Sequence, residues 1–173
     1  MFHNAFTQPI TGTLHFGGTF VSMTHFNPGE ALALIAKEKV TVAFPAFPTI
    51  TLQLLNHPRY TPDTFKHLRV MLNVGPPEEL VAMQAMMPHT TQITAFGRSE
   101  CGGSVAMSDP DNPIALRSEC SGKALPSIEI EVRDPETGTT LKPGMRGEIV
   151  SFKIPRHVRF IEDWPMGVTK ILK

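Results

Sequence analysis

Between residues 27 and 96, helix and strand signals alternate at short spacing, and this constrains the fold more than any other feature. In "NPGEALALIAKEKV", Asn27 can cap, Pro28 suits a first helical turn and Glu30 favours the helix dipole. Leu32, Ile35 and Ala36 share a face, so the spacing predicts a helix over 28–38. "VTVAF" predicts a short strand. "PTITLQLLNHP" predicts a second helix, ended before Pro58. "LRVMLNV" is almost continuously apolar, as in a parallel strand covered on both faces. "PPEELVAMQAMMP" predicts a third helix, with Met83, Met86 and Met87 in the core. "TTQITAF" predicts the next strand. The expected fold class is α/β: part of a mostly parallel sheet with flanking helices.

The flanks differ in texture. Residues 1–28 are rich in Phe, His, Thr and Gly and predict strand and loop. "SIEIEVRD" and "RGEIVSF" alternate on either side of the turn "DPETGTTLKPG", which predicts a small antiparallel β element. A short C-terminal tail, basic and apolar with no helical period, follows.

Composition excludes several classes. Sixteen Lys and Arg balance sixteen Asp and Glu, so electrostatics gives no case for a nucleic-acid partner. No apolar run approaches the roughly 20 residues of a membrane span. "MFHNAFTQPI" lacks a basic stretch followed by an apolar one, so no secretory leader is expected there. Two cysteines, Cys101 and Cys120, make no disulfide framework at this length, and a cytoplasmic protein with reduced thiols is expected. No His-x-x-x-His pair points to a metal.

The densest chemistry lies in "QITAFGRSECGG". In an open parallel sheet, ligands bind beyond the carboxyl ends of the strands. A strand ending at Phe96 places Gly97 to Glu100 on that edge. "NVGPPEE" ends the preceding strand, and Gly75 permits a close backbone approach. A glycine floor, a hydroxyl and a carboxylate suit a magnesium-bound phosphate. Read from these residues alone, Glu100 is equally a solvated loop carboxylate and Ser99 a turn former. "GRSEC" also nearly matches the nucleophile elbow G-x-S-x-G, but "GGSVAMSDPDNP" reads as loop where an elbow needs a helix, which argues against a serine hydrolase.

Taken together, these motifs resemble those of the adenylate-forming acyl-CoA synthetases, the AMP-binding enzymes. That family shows Y-G-x-T-E after a strand; here it is Phe96-Gly97-Arg98-Ser99-Glu100. Its G-A-P-type loop corresponds to Gly75-Pro76-Pro77, and Met1-Phe2-His3 is similar to the end of its P-x-F-H-type motif beside the acyl pocket. "SGKALPSIEIEVRDPETGTTLKPGMRGEI" has the family's texture, and in the tail Lys170 precedes Ile-x-Lys. The resemblance implies a two-step reaction. A carboxylate attacks the α-phosphate of ATP to give acyl-AMP and pyrophosphate, and coenzyme A then takes the acyl group. It implies Phe96 against adenine, Gly75, Pro76, Pro77 and Gly97 along the nucleotide, Ser99 at the phosphate, Glu100 on Mg2+, Lys170 at the phosphoryl oxygens and His3 in the substrate pocket.

Three family segments have no counterpart in the sequence: a phosphate loop ending in Pro-Lys-Gly, a Y-x-T-G-D segment and a G-R-x-K-D hinge. The chain is therefore expected to be a relative truncated at the N-terminus and internally deleted. Its expected parts are a partial large-domain core over 1–126, a small β element over 127–150 and a remnant of the C-terminal domain over 151–173. The expected function is ATP-dependent carboxylate activation and thioester formation. The alternative is a non-catalytic remnant that binds a protein partner through exposed sheet surface.

Overall fold

The computed structural model describes residues 4–153. Its centre is a three-stranded parallel sheet, β1 (Val42–Ala46), β2 (Val70–Asn73) and β3 (Thr91–Ile93), in the order β1-β2-β3. Val70 stands opposite Val42 on one side and Thr91 on the other. The α/β class expected from the alternation is the class observed.

Before and between these strands run the expected helices, α2 (Pro28–Lys37), α3 (Pro48–Leu55) and α4 (Pro77–Met86). Each starts with proline at its first turn, where a missing N–H costs nothing. Asn27 caps α2, its Oδ1 accepting the Glu30 N–H at 3.0 Å. Glu78 and Glu79 occupy the first turn of α4, where the helix dipole favours negative charge.

The two faces of the sheet are filled unequally. Met71 faces the helices and joins Leu32, Leu54, Leu55, Phe65, Leu68, Leu80, Met83 and Met87 in the main core. Met86, expected beside them, is 37% exposed because helical rotation turns it away. On the opposite face a smaller cluster holds Leu72, Ile93 and Ala95, with Phe44, Val70 and Met107 against it. β2 is thus covered on both faces, as its apolar run predicts.

A chain of buried polar groups crosses the helix side. The Thr51 hydroxyl donates to Asn73 Oδ1 at 2.6 Å, Asn73 Nδ2 donates to Gln92 Oε1 at 3.0 Å, and Gln92 Nε2 donates to the Leu80 carbonyl at 2.6 Å. These bonds tie α3, β2, β3 and α4 together and offset the cost of burying the amides.

Three expectations are corrected. Residues 4–15 are not strand and loop but helix α1 (Asn4–His15). Its threonines, Pro9 and Gly12 oppose helix locally, and tertiary contacts prevail. Phe6 packs edge-on against Phe20 at 5.8 Å, and Gln8 bonds Ser104, which is distant in sequence. Second, "TTQITAF" is two strands. The parallel strand ends at Ile93, and β4 (Ala95–Arg98) enters a separate antiparallel sheet, β4-β5-β6. Third, the stretch after Gly103 is not all loop. Gly103–Met107 forms β5, which pairs with β4 and with β6 (Lys123–Ala124), and α5 (Ile114–Glu119) lies between β5 and β6. Main-chain pairing supplies the order that residue type alone does not signal.

β7 (Ile128–Arg133) and β8 (Glu148–Lys153) form the expected antiparallel pair. Asp134 Oδ1 accepts the N–H groups of Glu136 and Thr137, both at 2.9 Å, and so shapes the turn between them.

Candidate functional site

The site begins where the chain changes sheets. Thr94 and Ser108 hold the switch: the Thr94 N–H donates to the Ser108 hydroxyl, and the Ser108 N–H donates to the Thr94 carbonyl, both at 2.9 Å. β4 then runs outward to Arg98 and returns as β5 through a 3-10 turn, Ser99–Cys101. Gly102 closes that turn at φ 70, and Gly103 follows at φ 126. The ladder slips register between Phe96 and Gly97. There the strands approach so closely that a Cβ on Gly97 would strike the Gly103 carbonyl oxygen. Glycine is a requirement of the hairpin itself.

A cleft of about 180 Å³ opens beside this hairpin. It is lined by Gly97, Ser99 and Ser104 of the hairpin, by Phe44 and Phe47 at the carboxyl end of β1 and just beyond it, and by Gln8 of α1. Gln8 Oε1 accepts the Ser104 hydroxyl at 3.1 Å, and its side chain lies where a Cβ on Gly103 would stand. Among the described side chains lining the cleft, Arg98 carries the only charge.

The sequence-predicted residues divide into three groups. Gly97 and Ser99 line the cleft. Phe96 lies alongside, half-buried, with the Arg98 guanidinium carbon 5.8 Å from its ring centre. Glu100 occupies the middle of the 3-10 turn. Gly75, Pro76 and Pro77 lead into α4, outside the cleft lining. The close approach that Gly75 permits is to Pro48, whose Cγ would lie 2.6 Å from an added Cβ. His3 and Lys170 lie outside the described residues.

Gln8, Phe44, Phe47 and Ser104 were not singled out from the sequence. They meet only through tertiary packing, and no motif spacing links them. A hydrogen-bonded arginine farther back braces the sheet switch. Arg117 on α5 donates through Nε to the Asn112 carbonyl at 2.7 Å and through Nη1 to the Gln92 carbonyl and to Gln84 Oε1. Burial pulls its pKa below the ordinary arginine value.

The donor set fits magnesium by its chemistry. Ser99 and Glu100 are adjacent and bring a hydroxyl and a carboxylate, both hard oxygen donors. Among the described residues no three of His, Cys, Asp or Glu cluster as an all-protein metal cage. Also among the described residues, no helix is long and apolar enough to cross a membrane.

An open cleft at the carboxyl end of a parallel strand, lined by Gly97 and Ser99, stands where open α/β sheets bind their ligands. The family model for AMP-binding enzymes matches residues 1–153, and the chain belongs to that family. It is 29% identical over 141 residues to 4-coumarate–CoA ligase 3 of Oryza sativa, covering 79% of this chain and 25% of that protein. It is 27% identical over 146 residues to the mitochondrial medium-chain acyl-CoA ligase ACSF2 of Rattus norvegicus, covering 77% and 24%. Among solved structures, ATP-bound MatB from Rhodopseudomonas palustris superimposes with a TM-score of 0.71 at 26% identity, covering 83% of this chain and 28% of that one. The chain thus spans about a quarter of the length of these curated relatives.

Proposed function

We propose that this chain carries part of a site at which ATP activates a carboxylic acid for transfer to coenzyme A. The observation that carries the reading is the cleft lined by Gly97 and Ser99, next in sequence to Phe96, in a chain that belongs to the AMP-binding family. In the first step a carboxylate oxygen bonds to the α-phosphorus while the bond to pyrophosphate breaks. In the second a thiolate attacks the acyl carbon and AMP leaves. Phe96 would offer its ring to adenine, with Gly75, Pro76, Pro77 and Gly97 bringing backbone to the nucleotide. The Ser99 hydroxyl would donate to an α-phosphate oxygen, and the Lys170 ammonium would neutralise charge developing there. His3 would border the acid. Glu100 would hold Mg2+, which when bound supplies Lewis-acid stabilisation of the phosphates.

In this reading residues 1–126 carry the nucleotide and acid sites, 127–150 a small β element, and 151–173 the lysine, in a cytoplasmic setting. The test is pyrophosphate release from ATP and magnesium over a panel of acids. Acid-dependent release that Lys170→Ala abolishes supports the reading, and no release from a folded chain overturns it.

A second reading is a non-catalytic binding protein. It draws on the apolar surface at the end of α1, where Leu14 is 63% and Phe16 87% exposed. Under it, Lys170→Ala and Glu100→Ala leave partner binding unchanged.

A further inference from the structure

β3 stands at one edge of the parallel sheet, with β2 on its inner side. The Thr91 N–H donates toward β2, to the Arg69 carbonyl, at 2.8 Å. Peptide groups alternate in direction along a strand, so those of Gln92 and Thr94 face away from β2. An open edge of this kind is a template for another strand. Among the described residues no further parallel strand takes it. Side chains close it instead. Gln84 Oε1 on α4 accepts the Gln92 N–H at 2.9 Å, and Arg117 Nη1 on α5 donates to the Gln92 carbonyl. Ser108 serves both peptide groups of Thr94.

Arg117 joins more than one partner. Nη1 also reaches Gln84 Oε1 at 3.3 Å, and Nε donates to the Asn112 carbonyl at 2.7 Å. One guanidinium therefore ties the loop before α5, helix α4 and the outer edge of β3. A planar fork holds such partners at fixed angles, which a lysine ammonium on a flexible stem does not. The clamp lies between the two segments that carry the proposed nucleotide contacts. α4 starts at Pro77, directly after Gly75 and Pro76. β3 leads through Thr94 into the strand that carries Phe96 and Gly97 and then Ser99. The Gln92 side chain continues the connection to Asn73, at the end of β2, and to the Leu80 carbonyl of α4. The bonds from Arg117 reach none of the proposed contact residues themselves.

We infer that Arg117 is a positioning residue. It sets the angle at which the β4–β5 hairpin leaves the parallel sheet, and so the placement of Phe96, Gly97 and Ser99 relative to Gly75-Pro76-Pro77. Its consequence for function rests on the nucleotide reading above; its geometry does not.

Arg117→Lys and Arg117→Met in the full chain test this, with Leu32→Val as the control. Leu32 is buried on α2 and takes no part in the clamp, so its shortening lowers Tm through packing alone. The readouts are the NMR amide resonances of Gly97, Gly102 and Gly103 in the free chain, and AMP affinity by calorimetry. Arg117→Lys should move the hairpin resonances and weaken AMP roughly 2- to 30-fold, and Arg117→Met should do both more strongly. Leu32→Val should do neither. Three outcomes overturn the inference: hairpin resonances that stay in place in folded Arg117→Lys, the same movement and AMP loss in Leu32→Val, or loss of folding in both Arg117 variants. Weakened AMP with the resonances unmoved overturns it and keeps the nucleotide reading. Moved resonances with AMP affinity unchanged, or with no AMP bound by the unsubstituted chain at millimolar concentration, support the placement and sink the hairpin as a nucleotide site.

Discussion

The two faces of the parallel sheet behave as different materials. On the helix face, Met71 joins fully buried Phe65, Leu68, Leu80, Met83 and Met87, and the amide chain from Thr51 to Gln92 is satisfied at every link. On the cleft face, among the described residues, Leu72, Ile93 and Ala95 are buried together, and Ala46 holds a positive φ. Stability accumulates where apolar area is removed from water and packing is tight. The cleft face gives up some of both to keep rings, hydroxyls and a cation accessible.

That contrast can be broken most forcefully at Phe65. Its ring is wholly buried and meets Tyr60 at 5.1 Å between centroids. Phe65→Ala should lose about 3–5 kcal/mol of stability in urea unfolding. A loss under 1 kcal/mol would mean that the helix face is not where stability resides.

The cleft face should respond in the opposite direction. Ala46→Gly removes a left-handed penalty of about 1–2 kcal/mol and adds a glycine entropy cost of about 0.5–1 kcal/mol. A small net gain in stability, visible as a raised Tm, is expected. A lowered Tm would show that the turn at Ala46 carries no strain.

The smallest effect belongs to the turn between β7 and β8. The N–H groups of Thr137 and Glu136 hold the Asp134 carboxyl below its ordinary pKa of 3.8. Hydrogen bonds from Arg133 and Thr140 hold Glu131 below its ordinary 4.5. Both pKa values are depressed by folding, so the contribution is present above the ordinary carboxylate range and is lost as pH falls through the folded values. Protection of the Thr137 amide, its exchange rate relative to an unfolded chain at the same pH, should stay constant from about pH 7 to 5 and fall under more acid conditions. The change should be absent in Asp134→Asn. A loss of protection that begins near neutrality would point to a different titrating group.

Much of the helix face was legible in the sequence. Asn27-Pro28, Pro48 and Pro76-Pro77 mark helix starts by their own covalent chemistry, and "LRVMLNV" marks a covered strand by its apolar run. The glycine-hydroxyl-carboxylate run at 97–100 stood out as a candidate for the same local reason, and Gly97 and Ser99 do line the cleft. α1 was not, because Thr7, Pro9, Thr11 and Gly12 argue against helix and only packing on the sheet sustains it. The break at Thr94 was not either. A continuous β-favouring run carries no signal that its partners change from parallel to antiparallel.

By itself the sequence determined the α/β class, three helix starts and the run of a glycine, a hydroxyl and a carboxylate at the end of a strand, since these follow from residues close together along the chain. Tertiary structure alone decided that Gln8, Phe44, Phe47 and Ser104 share one cleft and that Phe47 turns toward it. The physical reason is that such neighbours are chosen by long-range closure and by a backbone angle at Ala46 that no local preference favours.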